Sequence, residues 1–306
     1  MALEGLHHVT AITADAPRNV DFYARVLGLR LIKKTVNFDR PEVYHLYYGD
    51  ELATPGSVLT FFEFPGAGPG RHGDGMPYRI LWRVAGDRAM DFWCARLCDE
   101  GVGFTHGDAG VLFADHEGLE HQLEIDDACD PPLAAIARDI PPEHALQGFT
   151  GVRAYASQPG TSARLLGALG FVPGGGDSGW RLAGERRRAR WDYDLPPAAP
   201  GIQGAGSIHH VAWSAADDDE LSRFRTVAAA AGARPTQIID RRYFHSVYFR
   251  EPSGVLFELA TRDVGFAVDE PLEALGRTLM LPARYESRRA QLEHALTPIC
   301  DPRAAW

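Results

Sequence analysis

The chain has 306 residues, and its 45% hydrophobic and 24% charged content is that of a folded, water-soluble protein with room for about two domains. Its formal net charge of −10 argues against a nucleic acid or an anionic membrane surface as partner. No apolar run approaches the ~20 residues of a membrane span. The start, MALEGLHHV, does not read as a signal peptide, and the four Cys (94, 98, 129 and 300) form no disulfide framework, so a reduced, cytoplasmic setting is expected.

In chain order, residues 5–13 form a β-branched, apolar strand. A helix starts at Asp15-Ala16-Pro17, carries an apolar stripe of Val20, Tyr23, Ala24 and Leu27, and stops at Gly28. Three strand-like runs follow at 29–37, 43–48 and 57–64, and then a Gly/Pro-rich stretch at 65–75. The same order of strand, helix and three strands recurs from Tyr78, with a helix at 87–100 closed by Gly101. A third copy begins near Phe149, its helix closed by Gly170, and a fourth begins at Ser207, its acidic-capped helix at 217–231 closed by Gly232. The sequence thus predicts an α+β chain of four βαβββ modules in two paired domains. The expected division is an N-terminal pair at 1–127, a linker at 128–147, a C-terminal pair at 148–263 and a tail at 264–306 with an amphipathic stretch at 282–296.

One phrase is written twice. The first strand reads Leu6-His7-His8-Val9-Thr10, and the first strand of the fourth copy reads Ile208-His209-His210-Val211-Ala212. Neutral imidazole is a common ligand of transition metals. Side chains alternate along a strand, so one His of each pair is expected to face a concave site and its neighbour to face away or sit at the rim. Copies two and three carry Tyr78-Arg79-Ile80 and Val152-Arg153-Ala154 at the expected places instead, so copies one and four read as the chemical ones. In the last strand of copy four, Glu258 sits inside the apolar run Val255-Leu256-Phe257-Glu258-Leu259. A carboxylate there is costly unless it is paired or binds a metal. Two His and one carboxylate, with open positions, form the ligand set of non-haem Fe(II) oxygenases.

Together with Tyr44-His45-Leu46-Tyr47-Tyr48, Thr54-Pro55-Gly56, Glu143-His144-Ala145 and the run from Arg241 to Arg250, these stretches resemble the vicinal oxygen chelate superfamily. That superfamily is built from βαβββ modules and includes glyoxalase I, resistance proteins and extradiol dioxygenases. Within it the chain is most similar to the dioxygenases that cleave hydroquinone rings. The resemblance implies an Fe(II) site (Mn, Zn or Ni as alternatives) held by His8, His210 and Glu258, with His7 and His209 supporting the two ligand imidazoles. It places Tyr248 where its phenol would hydrogen-bond a bound oxygen, and Arg241 where it would hold an anionic substrate oxygen. The implied substrates are a small hydroquinone- or catechol-type aromatic and O2. A homo-oligomer is left open.

Two other classes compete. Glu63, near the end of Thr60-Phe61-Phe62-Glu63-Phe64, could mirror Glu258 and close a four-ligand site like that of a glyoxalase I-type isomerase. A metal-free binding protein is the third reading, against which the intact His8, His210 and Glu258 argue. His45 lies on a strand near the site. Trp82, Phe92 and Trp93 are expected in the core, Cys94 and Cys98 as small core residues of a helix, Arg186 to Arg190 on a solvated strand edge, and Gly174-Gly175-Gly176 in a turn.

Overall fold

The computed structural model describes residues 3–126, 128–174 and 178–305, so Gly175 and Gly176 of the expected turn lie outside the described residues. Module one holds β1 (Leu6–Thr13), β2 (Arg30–Val36), β3 (Tyr44–Gly49) and β4 (Val58–Glu63). Module two holds β5 (Pro77–Val84), β6 (Phe104–Gly107), β7 (Gly110–Ala114) and β8 (Glu120–Ile125). Module three holds β9 (Phe149–Tyr155), β10 (Val172–Pro173), β11 (Gly179–Ala183) and β12 (Arg188–Asp194). Module four holds β13 (Ile208–Ala215), β14 (Ile239–Asp240), β15 (His245–Arg250) and β16 (Leu256–Thr261), and the tail adds β17 (Leu279–Met280).

Each module carries its helix after the first strand. The first begins as α1 (Ala16–Val20), capped by Asp15, and widens into a π-helix at Asp21–Val26. The others are α2 (Asp87–Asp99), α3 (Ala163–Ala168) and α4 (Asp218–Ala230). The four glycines expected to stop these helices all sit in the left-handed region, with φ of 71°, 69°, 97° and 104°. A side chain would be strained there, which is why Gly ends each helix.

The modules pair differently from the order in which they are written. One sheet runs β14-β15-β16-β13-β1-β4-β3-β2-β17, joining modules four and one; the other runs β10-β11-β12-β9-β5-β8-β7-β6, joining three and two. The expected grouping of 1–127 and 148–263 as separate pairs is therefore corrected. The physical reason is an edge. Within its own module β1 pairs only with β4, and its second row of N–H and C=O groups is satisfied by antiparallel β13. Periodicity shows that each module has such an edge but not which other edge meets it. The tail is also bound to this sheet: β17 pairs with β2, and Leu292 of α5 (Arg289–Ala295) is buried.

The core lies between helices and sheets. Trp82, Trp93, Trp191 and Trp213 are all fully buried, and Phe92 packs at its margin. Cys94 is half-buried and packs against the core, whereas Cys98 is exposed and does not. Strand β12 lies inside its sheet, so Arg188 and Arg190 are not on an edge.

Candidate metal centre

The seam between β1 and β13 shapes the site. Register shifts between Leu6 and His8 on β1, and between His210 and Ile208 on β13, leave His7 and His209 as the extra residue of a β-bulge. A bulge breaks the alternation of side chains and re-aims them. Of the two expected places, facing away or at the rim, His209 takes the rim of the cavity, while His7 is buried against His8. His7 Nδ1 lies 2.9 Å from His8 Nδ1, and His209 Nδ1 lies 2.8 Å from His210 Nδ1. The second sheet repeats the device with bulges at Tyr78 and Thr150. By this register Arg79 stands at the His8 position and Gly151, rather than Val152 or Arg153, at the His210 position. Gln122 stands at the Glu258 position of module two.

His8, His210 and Glu258 converge. Glu258 Oε2 is 2.8 Å from His210 Nε2 and 3.2 Å from His8 Nε2, and the two Nε2 atoms are 3.4 Å apart. All three residues are buried, Glu258 completely. Glu258 Oε1 accepts hydrogen bonds from Ser246 Oγ and from Tyr248 Oη (2.9 Å for the latter), whereas Oε2 has no hydrogen-bond partner of acceptable geometry. An orphaned buried carboxylate oxygen between two imidazoles is a costly arrangement unless a cation completes it. The edge lengths fit one: a face of three ligands about 2.1 Å from a six-coordinate metal has edges of about 3.0 Å.

The tautomer of His8 follows from hydrogen-bond accounting. His7 Nε2 lies 3.0 Å from the Thr261 carbonyl, which only accepts, so His7 carries its proton on Nε2. Burial, with His8 beside it, pushes the His7 imidazole down to about 3, so it is neutral and its Nδ1 accepts from His8 Nδ1–H. With its Nδ1 proton so committed, His8 turns Nε2 to the cluster, the nitrogen a metal would take. Burial pushes the Glu258 carboxyl up, but His8 and His210 outweigh it and hold it well below the usual carboxylate range. Burial likewise lowers His210 and takes His209 down to about 4.

Tyr248 and Arg241 meet each other rather than open space. Arg241 Nε donates to Tyr248 Oη at 3.2 Å, its guanidinium lies 5.2 Å from the Tyr248 ring centre, and its Nη1 is 3.9 Å from Asp39 Oδ2. Burial and Glu258 raise the Tyr248 phenol above the usual tyrosine range, so it stays protonated. A cavity of about 430 Å³ opens over the cluster, walled by Phe38, Phe62, Phe64, Phe244, Ile239 and Leu256. Its polar lining includes Tyr248, Arg241, His209 and, on the opposite wall, Thr10, His45 and Tyr47. Sequence reasoning gave His45 little weight and passed over Thr10, Thr60, Tyr47 and Ser246. Strand alternation from firm registers of β1–β4, β3–β4 and β15–β16 would have found them.

Glu63 is not in this cluster. It is three residues beyond Thr60 and so on the other face of β4, where it accepts from Ala16 N at 3.1 Å at the start of the first helix.

A model of the glyoxalase/bleomycin resistance protein/dioxygenase superfamily matches residues 5–120 and 142–259. The chain belongs to that superfamily. It is 39% identical over 302 residues, 96% of each chain, to a Bacillus subtilis (strain 168) protein that carries the provisional name ring-cleaving dioxygenase MhqO. It is 31% identical over 319 residues, 95% of each chain, to the chlorohydroquinone/hydroquinone 1,2-dioxygenase of Sphingobium indicum. Among solved structures, a provisionally named dioxygenase from Bacillus subtilis superposes with a TM-score of 0.92 at 38% identity, covering 98% of both chains. Glyoxalase I from Zea mays shares the fold at a TM-score of 0.61 and 15% identity, covering 87% of this chain and 96% of its own. The expected superfamily, its fold and the likeness to hydroquinone ring-cleaving dioxygenases are borne out.

Proposed function

We propose that this superfamily member is a metal-dependent ring-cleaving dioxygenase acting on a hydroquinone-type aromatic, with Fe(II) as the metal. The observation that carries this reading is the orphaned Glu258 Oε2 between His8 Nε2 and His210 Nε2, beside a cavity walled by aromatic and aliphatic side chains. The relatives' names supply the reaction class.

His8, His210 and Glu258 would hold the metal on one face. Bound there, iron(II) would bring an aromatic diol and O2 together. The residues of the chain do the rest. His7 fixes the ring of His8 through its bond to Thr261, and His209 does so for His210. Ser246 and Tyr248 anchor Glu258 Oε1, leaving Oε2 to the metal. Arg241 holds the Tyr248 phenol and brings positive charge to the mouth of the cavity, where an ionised substrate hydroxyl would sit. The phenylalanines sandwich a flat ring and exclude water. The isomerase reading is disfavoured because Glu63 faces away, and the metal-free binding reading because the three-residue cluster is complete.

Among the described residues no helix is long and apolar enough to cross a membrane. A cytoplasmic location fits the four free cysteines. The test is anaerobic purification with metal analysis, followed by O2 uptake with a panel of hydroquinones and catechols. Stoichiometric iron and hydroquinone-dependent O2 uptake are expected. Tight zinc or nickel with no O2 uptake would overturn the reading.

A further inference from the structure

The wall of the cavity opposite Glu258 carries an unbroken hydrogen-bond chain. Thr10 Oγ1 is 2.9 Å from Thr60 Oγ1, Thr60 Oγ1 is 3.0 Å from His45 Nε2, and His45 Nδ1 is 2.8 Å from Tyr47 Oη. Thr10, His45 and Tyr47 line the cavity, and the fully buried Thr60 links Thr10 to His45. The chain stands in a defined relation to the metal cluster. Thr10 pairs with Thr60 as Ala212 pairs with Glu258, and Tyr47 pairs with Thr60 as Tyr248 pairs with Glu258. In module one, Thr60, Tyr47 and His45 therefore stand where module four has Glu258, Tyr248 and Ser246. One wall supplies a carboxylate to the cluster, and the other supplies hydroxyls joined by an imidazole.

Counting hydrogens shows what the chain can do. Burial holds His45 well below the usual histidine range and Tyr47 well above the usual tyrosine range, so one is neutral and the other protonated. The four groups then carry four movable hydrogens and make three bonds among themselves. One hydrogen is left over. With the His45 proton on Nδ1 the spare donor is Tyr47 O–H; with it on Nε2 the spare donor is Thr10 O–H. Changing the tautomer of His45 moves the spare hydrogen from one end of the wall to the other without charging any group. Neither end is otherwise engaged: no further hydrogen-bond partner of Thr10 Oγ1 or Tyr47 Oη occurs among the described residues. Tyr248 differs, because its hydrogen is committed to the Glu258 carboxylate.

We propose that Thr10, Thr60, His45 and Tyr47 form a proton relay that carries a hydrogen between two oxygens of the substrate, with the His45 tautomer as its switch. This rests on the dioxygenase reading of the site. When the first hydroxyl enters, its O–H bond breaks, the electron pair stays on the substrate oxygen and Thr10 Oγ1 takes the proton. Each group passes its own hydrogen along, and Tyr47 releases one to an oxygen at the far end of the ring. The reverse sequence resets the wall. One dihydroxybenzene and one O2 combine with no atom lost, so the proton is moved and not consumed. In this reading His45 is a positioning and relay residue that never touches the metal.

The test compares His45→Asn, Tyr47→Phe and Thr60→Val with the parent protein for iron content, kcat and KM with hydroquinone, and the solvent isotope effect on kcat. Each variant should keep its iron and its KM within about threefold, lose about 100-fold in kcat, and change the isotope effect, as removal of a proton-transfer group does. Thr60→Val keeps the side-chain shape, so it decides the matter should His45→Asn misfold. An unchanged isotope effect with kcat within twofold, or activity lost in proportion to iron, overturns the proposal. A second arm needs no turnover. In the Zn(II)-loaded protein, proton–nitrogen NMR of the His45 ring should show a neutral imidazole whose tautomer shifts when hydroquinone is added. If the parent protein consumes no O2, the dioxygenase reading fails and this arm alone decides the relay. A doubly protonated or unresponsive His45 overturns it.

Discussion

Thr60 and Glu258 occupy equivalent places in the two halves of one sheet. Thr60 lies opposite Thr10 on β1, and Glu258 lies opposite Ala212 on β13, two residues beyond His8 and His210 respectively. The cluster thus has one carboxylate where symmetry would allow two, and the second place holds a hydroxyl that turns to His45 and Thr10.

Thr60→Glu should complete a four-ligand site. The expected outcome is tighter retention of zinc or nickel, at least tenfold by chelator competition, with loss of O2 uptake as the open face closes. Unchanged O2 uptake with the metal bound would show that this place does not face the metal.

The ligand assignment predicts a sharp division. His8→Ala, His210→Ala and Glu258→Gln should each lose the metal, measured by elemental analysis, together with its stabilising effect. Free metal at a hundred times its Kd stabilises a folded protein by about 2.7 kcal/mol, so chelation should lower the melting temperature of the parent protein and leave His210→Ala unmoved. Glu63→Gln should keep the metal and most activity and lose about 1 kcal/mol, because it caps the first helix through Ala16 N. Metal loss in Glu63→Gln would overturn the three-ligand assignment.

Lys33 ties the tail to the first sheet. Its ammonium is fully buried, 2.7 Å from Asp269 and 2.6 Å from Glu270. Removing one partner of a buried ion pair leaves uncompensated charge, so Lys33→Ala should cost about 3–5 kcal/mol in urea unfolding. Asp269 keeps bonds from Arg242 and Tyr243, which favours the lower end of that range. A loss under about 0.5 kcal/mol would mean that the tail is held by other contacts.

His121 gives module two a dependence on pH. Trp82 Nε1–H donates to its Nδ1 at 3.1 Å, so its proton is on Nε2, facing Tyr23 Oη at 3.0 Å, while Tyr23 donates to Asp115 at 2.8 Å. Burial pushes His121 down from 6.5 to about 4. The folded state therefore binds fewer protons than the unfolded one in this window. Stability should fall as pH drops from about 6.5 towards 4, by on the order of 3 kcal/mol for this group. Unfolding free energies across that range should show a shallower slope, by about one proton, in His121→Gln. An equal slope would show that His121 is already charged in the fold.

Much of this protein was legible in the residues. Periodicity and four helix-ending glycines gave the modules. Repetition of the His pair, joined with the cost of a carboxylate in an apolar strand, gave His8, His210 and Glu258. Chain order, however, does not say which module edges meet, so the pairing of one with four and two with three was lost. Strict alternation also did not show that His7 and His209 lie against His8 and His210, because a bulge is a property of two strands together and leaves no mark in either alone. Glu63 looked plausible because it is the carboxylate near the end of the last strand of module one, and only the β1–β4 register puts Thr60 at the place equivalent to Glu258.

The sequence by itself determined the local structure, the repeat and the ligand types, because propensity, period and burial cost act over a few neighbouring residues. Only the tertiary structure decided which edges pair, which way the bulged histidines turn, and that Thr60, His45 and Tyr47 stand opposite Glu258. Those depend on inter-strand hydrogen bonds between segments about two hundred residues apart, and such bonds are satisfied by backbone groups that every residue carries alike.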